Sequence, residues 1–166
     1  MSSTTSAAER FAVCVVKAWT GAIASLDKQF ASFTDDELQQ EIAPGKNRVF
    51  YLLGHMTAVH DRMLPLLRLG ERLHPELDQP FLTDADRTSP DQIAVDALRT
   101  AWVDVSTALN SAVVSLPAEE WLLRHDAVSE ADFAKEPHRH RLSVLLSRTS
   151  HVGFHSGQLA LVVKKK

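Results

Sequence analysis

The sequence predicts an all-α fold, a four-helix bundle with long crossover connections. Three observations predict it. Apolar residues recur in steps of three and four along four stretches, no stretch alternates convincingly with period two, and the connecting segments are too long for a simple up-and-down bundle. The chain has 166 residues, enough for one domain with a real core and too few for a second of normal size, so residues 1–166 are expected to form a single domain.

The first helix is read from Phe11, Val15, Trp19, Ala22, Leu26, Phe30 and Phe33, the seam of an amphipathic segment. The second runs from about Asn47 to Leu69, with Leu52, Met56, Val59, Met63 and Leu66 facing inward and Gly70 where a C-terminal glycine belongs. The third opens at Ser89-Pro90-Asp91-Gln92, an N-cap serine, a first-turn proline and a glutamine placed for a capping box. Its inner face is Ile93, Ala97, Ala101, Val105, Leu109, Ala112 and Leu116. The fourth begins after Pro137 and carries Leu142, Leu145, Thr149, Val152, His155, Leu159 and Val162. Links of about 13, 19 and 20 residues join them, where a simple bundle uses about 2 to 8, so overhand crossings are expected. Short helical turns are expected inside the links, at the capping box Thr34-Asp35-Asp36-Glu37 and at Pro117-Ala118-Glu119-Glu120.

Hydrophobic residues make up 45% of the chain and charged ones 23%, an ordinary globular composition. A net charge of -3 argues against nucleic acid or an anionic membrane as partner. Met1 to Arg10 lacks the features of a signal peptide, and no apolar run reaches the ~20 residues that span a bilayer. Cys14, the one cysteine, is expected to be a buried thiol among Phe11, Val13, Val15 and Val16, and a reducing cytoplasm is the expected location. Lys164, Lys165 and Lys166 suit a helix C-terminus electrostatically.

Of the 8 histidines, most are expected to be unremarkable. His74 and His125 lie in links and are read as exposed. His138 and His140 alternate with Arg139 and Arg141 as a solvated basic patch, an anion-binding rim being the lesser alternative. His60 is five residues from His55, hence about 140° around the helix from it, and is placed outside. His55 lies within the apolar stripe of the second helix, where a lone imidazole is ordinarily a neutral core residue bonded to a hydroxyl or carbonyl. His155 also falls on an apolar seam, between Val152 and Leu159, and His151 stands four residues before it on the same face, with Cβ atoms about 5 to 6 Å apart. One shared metal ion satisfies all three imidazoles at once.

The segments Asn47-Arg48-Val49-Phe50-Tyr51-Leu52-Leu53-Gly54-His55 and His151-Val152-Gly153-Phe154-His155-Ser156-Gly157-Gln158-Leu159 resemble those of the DinB/YfiT-like superfamily of metalloenzymes. The four-helix plan and the span between the first histidine and the closing pair resemble that superfamily across nearly the whole chain. The resemblance implies that His55, His151 and His155 bind one divalent ion, zinc or nickel, and that the protein is a homodimer. It also implies transfer chemistry with a low-molecular-weight thiol such as bacillithiol or mycothiol. No domain is expected after the fourth helix, unlike some mycothiol-dependent relatives.

Three imidazoles leave at least one position on the ion for water or substrate, the catalytic pattern of zinc ligation, and no thiolate stands near to close it. Such an ion activates water for hydrolysis or holds a thiol as its thiolate. The expectation is a metal-dependent enzyme acting on a small molecule by thiol transfer or hydrolysis. The alternative is a non-catalytic, stress-linked or interaction protein whose ion cross-links two helices. Tyr51, Arg62, Arg148 and Gln158 lie at helical spacing from the three histidines. Arg148 suits a substrate carboxylate or is a rim charge; Gln158 orients His155 or bonds a neighbouring helix. Trp19, Trp102 and Trp121 are read as core aromatics, and the pattern names no general base.

Overall fold

The computed structural model describes residues 6–88 and 90–162, and among them there is no β-strand, only two isolated bridges. The described residues form six α-helices: α1 (Ala7–Ala31), α2 (Asp35–Leu38), α3 (Val49–Leu66), α4 (Val95–Ser115), α5 (Glu130–Lys135) and α6 (Arg141–Leu159). The expected Lys164–Lys166 terminus and the Ser89 cap lie outside the described residues. No helix among the described residues is long and apolar enough to cross a membrane.

Helix α1 begins at a capping box of Ser6 and Glu9 and buries Ala12, Trp19, Ile23, Leu26 and Phe30. Its first turns depart from the expected seam, since Phe11 is exposed and Ala12 takes the inward position. Cys14 is exposed too, contrary to expectation: the helix turns it outward, and apolar neighbours in sequence are not neighbours in space. The Thr34–Glu37 capping box forms as expected at the start of α2.

Helix α3 ends at Leu66, earlier than Gly70 suggested. Arg68 takes the left-handed conformation (φ 54°) expected of a glycine, and the Leu69 N–H closes the end on Leu64 O. Helix α4 starts at Val95, not near Pro90, because Asp91 is drawn away as a partner of Arg48 and the chain stays non-helical through Ile93. Its buried stripe is Leu98, Ala101, Trp102, Val105, Ser106, Leu109 and Val113, so Leu98 replaces the exposed Ala97.

The four long helices share one core. α1 packs along α6 and α3 along α4, and the two pairs are joined where α1 meets α4 and α3 meets α6. The Trp19 Nε1–H donates to Asn110 Oδ1 (2.8 Å) and the Trp102 Nε1–H to Asp27 Oδ1 (2.8 Å), which sets α1 and α4 antiparallel. All three tryptophans are core residues as expected, each satisfying its volume with apolar contact and, for two of them, its N–H with a bond across helices. Burying a large apolar side chain contributes roughly 1.5–3 kcal/mol, and Leu26 of α1, Met56 of α3, Leu98 of α4 and Leu145 and Val152 of α6 belong to one buried cluster.

The connection after α3 is built to return to it. Asp61, fully buried, accepts from Arg72 Nε (2.6 Å) and from the backbone N–H groups of Leu73 (2.7 Å) and His74 (3.0 Å). A 3-10 turn (Pro75–Leu77) and a π-helical turn (Gln79–Thr83) follow and pack on α3. Gly54 makes the approach possible: a Cβ there would lie 2.3 Å from Cδ1 of the buried Phe81 ring.

Candidate metal centre

His55 on α3 meets His151 and His155 on α6. Their Nε2 atoms converge: His55 Nε2 is 3.3 Å and His155 Nε2 3.0 Å from His151 Nε2, and the three donor atoms all lie within 4.8 Å of one another. A tetrahedral zinc with Zn–N of about 2.0–2.1 Å holds its donors about 3.3 Å apart.

The hydrogen bonds on the far side of two rings fix where their lone pairs point. His55 Nδ1 faces Phe81 O at 3.1 Å, and a carbonyl only accepts, so Nδ1 carries the proton and Nε2 the lone pair. His155 Nδ1 donates likewise to Gln158 Oε1 at 2.7 Å. Both lone pairs therefore aim at His151 Nε2, which has at most one proton when neutral and so serves at most one of them. His151 Nδ1 is buried and has no partner. The residues fit a divalent ion, which can accept a lone pair from each of the three Nε2 atoms, and the outward bonds of His55 and His155 are of the kind that orient metal-ligating imidazoles.

Electrostatics keep the rings in the ligating form. Burial pushes all three below the ordinary histidine value, His151 to about 4, where the nearby His155, His55 and Arg148 depress it further. Neutral imidazoles at neutral pH need no deprotonation before binding a cation. His55 and His151 remain partly accessible while His155 is buried.

The expected neighbours divide. Gln158 orients His155 as described. Tyr51 stacks on His55, ring planes 11° apart, with its hydroxyl donating to Asp84 O at 2.8 Å, so it braces the ring and is itself tied down. Arg62 does not serve the cluster: it is exposed and paired with Asp78 at 2.7 Å. Arg148 stands at the i−3 position from His151 on the same face of α6 and acts electrostatically on His55 and His151.

His60 corrects the expectation most sharply. It is fully buried, its ring between Trp19 (5.1 Å) and Trp102 (5.4 Å), with neither nitrogen hydrogen-bonded. An angle of about 140° from His55 does not reach solvent here, because at that position α3 meets Trp19 of α1 and Trp102 of α4. His74 is partly shielded and pairs with Glu76, His138 is exposed, and His140 caps α6 by accepting from the Ser143 N–H. Gly54 and Phe81, which set the His55 tautomer, escaped sequence reasoning; the one signal was a glycine in the middle of an otherwise apolar helix.

A cavity of about 320 Å³ lies beside the cluster, sharing Tyr51 and Phe81 with it. Its polar wall is internally paired: Arg48 binds Asp86 (2.6 Å), Asp91 (2.7 Å) and Gln39 (2.6 Å). No family model and no curated protein matches the chain.

Proposed function

We propose that this protein is a divalent-metal-dependent enzyme of DinB/YfiT-like plan, a four-helix bundle that acts on a small molecule by thiol transfer or metal-assisted hydrolysis. The observation that carries the reading is the convergence of three neutral imidazole Nε2 atoms, two of them oriented by outward hydrogen bonds, with no fourth donor in the cluster among the described residues. His55, His151 and His155 hold the ion, zinc or nickel, since three histidines suit both. When bound, the ion supplies a Lewis acid that lowers the pKa of water or of a thiol.

The chain's own residues prepare that site. Phe81 O and Gln158 fix two ring orientations, Tyr51 lies parallel to the His55 ring, and the apolar seams of α3 and α6 pack behind the cluster. A homodimer belongs to the same reading.

The rival is an ion that only cross-links α3 and α6, favoured by the fact that the ligands come from two helices with few other contacts between them. Metal-loaded protein incubated with a panel of cellular thiols and a generic electrophile separates the two. Turnover abolished by His155→Ala supports the enzyme. No turnover with any thiol, alongside strong metal-dependent thermal stabilisation, supports the cross-link.

A further inference from the structure

Among the described residues, nine arginines pair with carboxylates: Arg48, Arg62, Arg68, Arg72, Arg87, Arg99, Arg124, Arg139 and Arg141. Arg10, exposed near the start of α1, does not. Neither does Arg148, which is half-buried with its Nε wholly covered and without a hydrogen bond. It lies on the face of α6 that carries His151 and His155, at i+3 and i+7 from it. Its positive charge lowers the pKa of His55 and of the buried His60 on α3, so it is felt across the helix interface.

We propose that Arg148 receives the carboxylate of a small anionic substrate whose other end reaches the open position of the metal centre. The proposal rests on the metal reading above. Its first support is charge. Three neutral imidazoles, a divalent ion and a guanidinium sum to three positive charges, and the candidate ligand group contains no carboxylate to offset them. A partly buried cation without a partner is costly, and an arriving anion removes that cost. The second support is shape: the Nε of Arg148 is covered but its two Nη groups are not, and their parallel N–H bonds form a fork that takes both oxygens of a carboxylate end-on. Arg148 is, among the described residues, the one arginine or lysine whose charge acts on His55 and His151.

The test uses the full chain, without substitution and as Arg148→Gln and Arg148→Lys. Zinc stoichiometry and affinity are measured first, then binding of succinate and of inorganic phosphate to the zinc-loaded proteins by calorimetry at constant ionic strength. The expected result is unimpaired zinc binding in all three, with succinate about tenfold weaker in Arg148→Gln and intermediate in Arg148→Lys, which keeps the charge and loses the fork. Equal succinate affinity in all three proteins, each with zinc bound, overturns the role of Arg148 while leaving the metal centre standing. Phosphate binding tighter than succinate and dependent on Arg148 overturns the carboxylate assignment. Failure of the unsubstituted chain to take up zinc removes the metal reading and this proposal with it.

Discussion

The Phe81 ring lies directly against the α-carbon of Gly54, so close that a Cβ there would come within 2.3 Å of Cδ1, while the Phe81 carbonyl accepts from the next residue, His55. One glycine thus allows a loop to dock on α3 and orient an imidazole. Gly54→Ala is expected to push the buried Phe81 away. Overpacking of this kind costs about 1–3 kcal/mol, read as a lower urea midpoint, and metal affinity should fall with it because the His55 orientation is lost.

Gln158 tests orientation without packing. Gln158→Leu removes the acceptor for His155 Nδ1–H. Loss of such a partner is expected to weaken metal binding about 10- to 100-fold, with the helical circular dichroism unchanged. Unchanged zinc affinity would show that the Gln158 bond serves only helix packing.

Arg48 ties the segment before α4 to the end of α2 through Asp86 and Asp91 on one side and Gln39 on the other, and is 7% exposed. Arg48→Ala leaves Asp86, whose side chain is 5% exposed, without its cation and is expected to destabilise by about 3 kcal/mol in chemical denaturation. Arg48→Lys should recover little of this, since an ammonium cannot span both carboxylates.

His60 predicts an acid limb. Burial holds its pKa near 3, below the 6.5 of an exposed histidine. The unfolded chain therefore binds a proton that the folded chain refuses. The stability this group allows is complete above pH 6.5 and is lost progressively as the pH falls toward 3. His60→Phe, which keeps a flat ring between the two tryptophans, should reduce the slope of unfolding free energy against pH between 6 and 4 by about 1.4 kcal/mol per pH unit. An identical slope in both proteins would mean that His60 is already accessible to protons in the folded state.

Much of this was legible in the sequence. The four long helices follow from the spacing of apolar residues, because a helix that buries one face must repeat every three or four positions. His151 and His155 were legible from spacing alone, and His55 from its place on a stripe. What was not legible depends on contacts between distant segments. The start of α4 was misplaced because Asp91 answers to Arg48, forty-odd positions away in the chain, and not to its own helix. His60 was misplaced because one-dimensional periodicity assumes one buried face, whereas α3 is enclosed on several. Arg62 and Arg148 look alike in the sequence, and only the fold supplies Asp78 to one and no carboxylate to the other.

The central claim is that three histidines form one metal centre. Purified, chelator-stripped protein titrated with zinc and assayed for bound metal is predicted to hold one equivalent per chain, and His55→Ala, His151→Ala and His155→Ala each to lose it. Absence of stoichiometric metal in the unsubstituted chain, or binding unchanged by His55→Ala, would contradict the account.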